Sequence, residues 1–128
     1  MLLIPGSPGE LLDKISILEI KSERITDAGK RNNVLHELQL LQEVRAKSVP
    51  ESRDLGRLYN SLKSLNEKLW DIEDALRDLE RKKSFGEVFI ECARSVYRTN
   101  DKRSALKREI NRLQGSEIIE EKSYSDCG

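Results

Sequence analysis

Three polar side chains break into otherwise apolar helical faces, and any chemistry this chain performs would centre on them. Glu19 projects between Leu12 and Ile15, inside the apolar arc of the first helical segment. Asn66 and Glu73 stand seven residues apart, on the face shared with Tyr59, Leu62, Leu69 and Trp70. A carboxylate taken out of water costs several kcal/mol unless it is paired or hydrogen-bonded. Glu19, Asn66 and Glu73 therefore require partners, a ligand or a water-filled recess. One reading is an acidic recess between the first and third helices that holds an amine or a divalent cation, Mg²⁺ or Mn²⁺. That recess would make the chain a small helical enzyme or ligand-binding protein. The plainer reading is that Asn66 fixes helix register and the glutamates meet arginines from later helices.

Hard cations need several converging carboxylates. The close acidic pairs are Glu19 with Glu23, Asp71 with Asp74, and Glu87 with Glu91. Their spacings and identities do not fit the E-x-x-E then E-x-x-D order of all-helical nucleotide pyrophosphatases. Asp13-x-Ile15-x-x-Leu18 suggests a chorismate-mutase-like helix, but the arginine pattern for a dicarboxylate does not accompany it. No metal ligand or resident cofactor is assigned. His36, the single histidine, lies opposite the apolar side of its helix, and no triad or Cys–His pair can be built around it. Cys92 reads as a small core residue.

Basic residues crowd the segment 94–112, where Arg94, Arg98, Arg103 and Lys107 offer an anion-binding surface. The competing expectation is internal neutralisation, with this segment folded onto the acidic run at 66–80. Gly6 and Gly9 flank Pro8 at a helix start, where free N–H groups can hold an anion. The Gly-Lys-Ser/Thr ending of a phosphate loop is absent.

These residues sit on elements legible from hydrophobic spacing. Leu55, Leu58, Leu62, Leu65, Leu69, Ile72, Leu76 and Leu79 repeat at alternating steps of three and four. That period keeps one helix seam against a neighbour, over roughly 36 Å at ~1.5 Å of rise per residue. Three Ser-x-x-Glu signals, Ser7/Glu10, Ser48/Glu51 and Ser84/Glu87, read as capping boxes. Gly29 and Gly115 read as C-terminal caps, and Asn100 as an N-cap. The expected helices are 8–28, 31–47, 49–83, 85–98 and 101–114, with Leu2 to Ile4 able to pack in extended form and one further turn open to Glu117–Lys122. The first helix is apolar around much of its circumference, which places it at the centre of a bundle or between subunits. The fold class is all-α: an antiparallel helical bundle with one long central helix (about 49–83) and four shorter ones. Residues 1–115 form a single helical-bundle domain, and 116–128 a C-terminal tail.

Composition supports long helices. Charged residues are 36% of the 128, aromatics 5%, and glycine and proline number seven and three, which argues against a sandwich or barrel. Lys plus Arg is 23 and Asp plus Glu is 23, a balance that disfavours nucleic acid as a partner. Met1 to Ile4 is too short for a signal sequence or membrane span. With two cysteines far apart, a reducing cytoplasm is the expected setting.

The run from Ile4-Pro-Gly-Ser-Pro-Gly-Glu10 into Leu11-Leu-Asp-Lys-Ile-Ser-Ile-Leu-Glu-Ile-Lys-Ser-Glu-Arg24 resembles the opening of a small bacterial family of domains of unknown function. Leu69-Trp-Asp-Ile-Glu-Asp74, Phe85-Gly-Glu-Val-Phe-Ile-Glu91, Ala93-Arg-Ser-Val-Tyr97, Asn100-Asp101, Gly115-Ser116 and Glu120-Glu-Lys-Ser-Tyr124 extend the likeness over nearly the full length. The resemblance implies a bacterial, cytoplasmic, all-helical protein with no assigned activity, in a setting of sugar transfer and cell-surface polysaccharide. It carries over no catalytic residue. The expected function is a non-catalytic protein interaction or assembly module, a homodimer with room for another protein partner. The long seam of the third helix invites a second copy.

Overall fold

A computed structural model describes residues 1–122 and contains four helices, with no strand among the described residues. They are α1 (Pro8–Arg24), α2 (Ala28–Ser48), α3 (Arg53–Arg81) and α4 (Glu87–Leu113). Where five helices were expected, the last two are one. The seam through Cys92, Val96, Thr99, Arg103, Leu106 and Ile110 keeps its 4-3-4-3-4 spacing straight across Asn100. A mid-helix Asn costs well under ~1 kcal/mol of helix propensity, too little to interrupt such a seam. Its Oδ1 accepts from Arg103 Nη1 one turn on (3.3 Å) instead of capping.

The cap signals divide. Ser7 is an N-cap, its Oγ accepting the Glu10 N–H at 3.1 Å, and Pro8 falls at the first helical position. Gly115 takes a φ of 64° just past α4, the left-handed position that favours glycine. Ser48 instead closes α2, and Ser52 caps α3 by accepting from Leu55 N. Gly29 lies in the first turn of α2 because Asp27 caps that helix through the Lys30 N–H. Gly86, not Ser84, precedes α4. The α3–α4 turn closes on Lys83 at φ 55°, with Ser84 N reaching back to Leu79 O at 2.9 Å. That is a Schellman-type ending with a lysine where glycine is usual. The tail to Lys122 is irregular, without the extra turn expected at 117–122. The rest of the tail, Cys127 included, lies outside the described residues.

The long α3 is not the spine. α1 is the helix that packs against all three others, while the most extensive pairing is between α3 and α4. The near-circumferential apolar surface of α1 accounts for this. Leu12 and Ile15 are fully buried, and Leu18 and Ile20 nearly so, on different sides of the helix. The core joins Leu12 and Ile15 to Val49, Leu55, Leu58, Tyr59, Leu62 and Ile110, with Leu38 and Leu41 of α2 packed on its edge.

Burial is uneven along the long helices. α1 ends at Arg24, whose guanidinium reaches Asp71 at 2.6 Å and lies 5.6 Å over the Trp70 ring. The last buried residue of α3 is Leu69, and the first of α4 is Thr99. Between them α3 and α4 continue as a two-helix arm. Ile72, Leu76, Leu79, Phe89, Cys92 and Val96 are only half-buried there. Phe85, Val88, Ile90 and Tyr97 are 51%, 66%, 54% and 42% exposed. Met1 to Ile4 also stand in solvent, not packed in extended form. No helix among the described residues is long and apolar enough to cross a membrane.

Candidate functional site

Two polar clusters lie on α1, one inside the bundle and one at its first turn. The inner cluster is built on Asp13, buried although charged. Its Oδ1 accepts from Asn66 Nδ2 at 2.9 Å and Arg103 Nε at 2.8 Å, and its Oδ2 accepts from Arg103 Nη2. Asn66 Nδ2 also donates to Ser16 Oγ at 2.8 Å, and Ser16 Oγ donates to Asp13 O. This bidentate fork is the geometry for which arginine is suited and lysine is not. The hydrogen bonds to Asp13 hold the Arg103 guanidinium protonated against the opposing effect of its burial. One carboxylate thus ties α1 to α3 and to α4. Both oxygens are engaged, so Asp13 acts as a structural lock.

The outer cluster gathers at the start of α1. Ser7 Oγ donates to Glu120 Oε1 at 2.5 Å, and Lys107 Nζ lies 2.9 Å from Glu120 Oε2 and 2.8 Å from Glu10 Oε2. Asn111 Oδ1 accepts the Gly9 N–H at 2.7 Å, so its Nδ2 points elsewhere and finds no partner although buried. Gly9 is required here, since a Cβ would come within 2.5 Å of Lys107 O and 2.8 Å of Asn111 Oδ1. Burial opposes ionisation of Lys107, but the carboxylates of Glu10 and Glu120 prevail and raise its pKa. For Glu120, burial acts upward, while the Ser7 hydroxyl and the Lys107 ammonium together hold it below the usual carboxylate range.

The three residues first singled out meet separate partners. Asn66 belongs to the Asp13 lock. Glu19 is half-buried, with Lys63 Nζ 3.4 Å away and Gln42 Nε2 donating at 3.4 Å. Lys63 also meets Glu23 at 2.7 Å, the larger cause of its raised pKa. Burial pushes the Tyr59 phenol up, and nearby Glu19 pushes the same way, although the hydroxyl meets no partner at full hydrogen-bond geometry. Glu73 is exposed, one heptad beyond Asn66 on α3, where α1 no longer covers that face. Among the described residues, no three His, Cys, Asp or Glu side chains gather as a metal site would need.

The four basic residues also divide. Arg94 and Arg98 both face Glu91 on the exposed arm, at 3.6 and 3.2 Å. Arg103 belongs to the inner lock and Lys107 to the outer cluster. Much of the basic segment is neutralised from within, but its partners are Asp13 and Glu10 of α1 and Glu120 and Glu121 of the tail. The acidic run on α3 has other partners: Arg24 meets Asp71, and Asp78 meets Arg81 and Lys82.

Both clusters and the arm lie within residues 4–127, which match the profile of a family of unknown function, DUF6165. The chain belongs to the DUF6165 family. The match agrees with the resemblance to an uncharacterised domain family and assigns no activity. No curated protein and no solved structure is significantly similar to this DUF6165 chain. Sequence reasoning about it missed Asp13 as a buried charge, and Asn111 and Glu120 altogether. One signal was present: Gly9, Asp13 and Ser16 follow i, i+4, i+7 spacing, a small and polar stripe on a helix otherwise apolar around much of its circumference. Nothing local marks Asn111 or Glu120, whose roles arise only when α4 and the tail come against the start of α1.

Proposed function

We propose that the protein is a non-catalytic interaction and assembly module that forms a homodimer through the distal α3–α4 arm. The observation that carries this reading is the exposure of Phe85 in the α3–α4 turn and of Val88, Ile90 and Tyr97 on the outer part of α4. Large apolar side chains left exposed together at one end of a molecule mark candidate interaction surface. A second copy is the partner that charge allows. The arm carries both signs, with Glu73, Asp74 and Glu80 on α3 and Arg94 and Arg98, already paired with Glu91, on α4, so two arms meet no surface of a single repelling sign. In this reading the helices run antiparallel, and two arms complete a coiled-coil-like four-helix unit. The setting is a bacterial cytoplasm, without nucleic acid or membrane as partners.

Sedimentation velocity over roughly a hundredfold range of concentration tests this. Wild type should pass from monomer to dimer, and Ile90→Glu should remain monomeric with unchanged helicity. A wild type that stays monomeric throughout, or an Ile90→Glu protein that dimerises equally well, removes the reading.

A further inference from the structure

The outer cluster encloses a cavity of about 190 Å³, lined by Ser104, Lys107, Arg108, Asn111, Glu120 and Glu121. That is several times the ~30 Å³ share of one water. Around it stand donors of different kinds: the Ser7 hydroxyl beside the cavity, the Lys107 ammonium, the Asn111 amide and the Arg108 guanidinium. The first turn of α1 adds its positive dipole end. Its N–H groups are already taken, Glu10 N by Ser7 Oγ and Gly9 N by Asn111 Oδ1, so the side chains must supply the contacts.

The tail fills this site with a carboxylate. Glu120 satisfies Ser7 with one oxygen and Lys107 with the other. Neither oxygen pairs with Asn111 Nδ2, which is left buried without a partner on a residue only 5% exposed. Because the Gly9 N–H fixes the amide orientation, that unmet atom must be the donor. A buried donor without an acceptor costs about 1–3 kcal/mol, so such atoms are rare unless something else comes to meet them. A phosphate group has three terminal oxygens, one for each of Ser7, Lys107 and Asn111. Beside the cavity, and sharing Ser104 and Arg108 with it, lies a second depression of about 410 Å³ that Arg112 also lines. It gives room for whatever the phosphate is attached to.

We infer that the start of α1, with Lys107 and Asn111 of α4, is a phosphate-binding site that Glu120 occupies as an internal stand-in. The tail is then a competitor tethered to the site. An intramolecular carboxylate acts at an effective concentration of order millimolar, so wild type binds phosphate weakly and removing Glu120 exposes the site. The site is independent of the arm and of dimerisation.

The test is a titration of ¹⁵N-labelled full-length protein with inorganic phosphate, with glycerol phosphate and with acetate, followed at the Gly9 amide and the Asn111 side-chain amide. In Glu120→Ala, phosphate should bind saturably at both signals, at least about tenfold tighter than in wild type. Acetate should show no such gain, and Lys107→Met in the same background should abolish the response. Glu120→Gln, which keeps the side chain's shape, should also bind more tightly than wild type and serves should the alanine variant fold poorly. Glycerol phosphate binding more tightly than inorganic phosphate would identify a phosphate ester as the ligand; the reverse would identify the free ion. Equal affinities in wild type and both Glu120 variants, or acetate matching phosphate, would overturn the inference.

Discussion

The two ends of the α3–α4 pair share one hydrophobic period and have different fates. Toward the start of α3, Leu55 and Leu62 are fully buried because α1 lies against that part of the helix. Past Leu69, Ile72, Leu76 and Leu79 continue the same seam but are only half-buried, with α4 as their partner. Regular spacing states that a helix has a face to cover. How many neighbours cover it depends on the length of α1, which stops at Arg24.

The sharpest way to break this contrast is a matched pair of truncations. Leu62→Ala should cost about 2–5 kcal/mol, because it opens a cavity in a three-helix core. Leu79→Ala should cost roughly 1 kcal/mol or less, since water already reaches that site. Equal losses on urea denaturation would show that the arm is packed as tightly as the core.

Ion pairs sharpen the contrast next. Arg103→Ala leaves Asp13 buried and unpaired and should cost about 3 kcal/mol. Arg103→Lys should recover only part of that, because an ammonium cannot reproduce the bidentate fork. On the arm, Arg94→Ala should leave chemical denaturation unchanged. Comparable losses at the two arginines would count against Asp13–Arg103 as the bundle's lock.

These contrasts show what could be read from the chain. The all-helical class, the seam of α3, the Ser7–Pro8 start of α1 and the Gly115 ending rest on local rules, and the structure follows them. The spread of Leu12, Ile15, Leu18 and Ile20 around α1 was also legible and pointed to a central or inter-subunit place for it, while the length of α3 pointed instead to that helix as the centre. The break at Asn100 was misread because a local cap preference of about 1 kcal/mol was set against a seam running the length of a 27-residue helix. Glu73 was misread for the opposite reason. It has the heptad position of Asn66, but α1 is too short to cover it. Asp13–Arg103 joins residues 90 apart in sequence, and Ser7–Glu120 joins residues 113 apart. No short-range pattern specifies such pairs.

Smaller effects concern the ends of the helices. Glu120 has its carboxyl pKa held down in the folded state, so its contact contributes stability fully above the unfolded value of roughly 4.3 and loses it as pH falls through the lowered folded value. The stability gap between wild type and Glu120→Gln should therefore be present at neutral pH and close in acid, as thermal melts across that range would show. A gap that widens in acid would reverse the assignment. At the far end of the arm, Lys83→Gly should relieve the left-handed backbone position and stabilise the protein by about 0.5 kcal/mol, once glycine's greater unfolded-state freedom is subtracted.

The most direct test of the division between core and arm is amide hydrogen exchange at low and high protein concentration. Amides of α4 near Ile90 to Tyr97 should exchange faster than those of α3 near Leu58 to Asn66 when the protein is dilute. They should then gain protection as concentration rises, while the α3 core amides stay unchanged. Uniform protection along both helices, independent of concentration, would contradict the account.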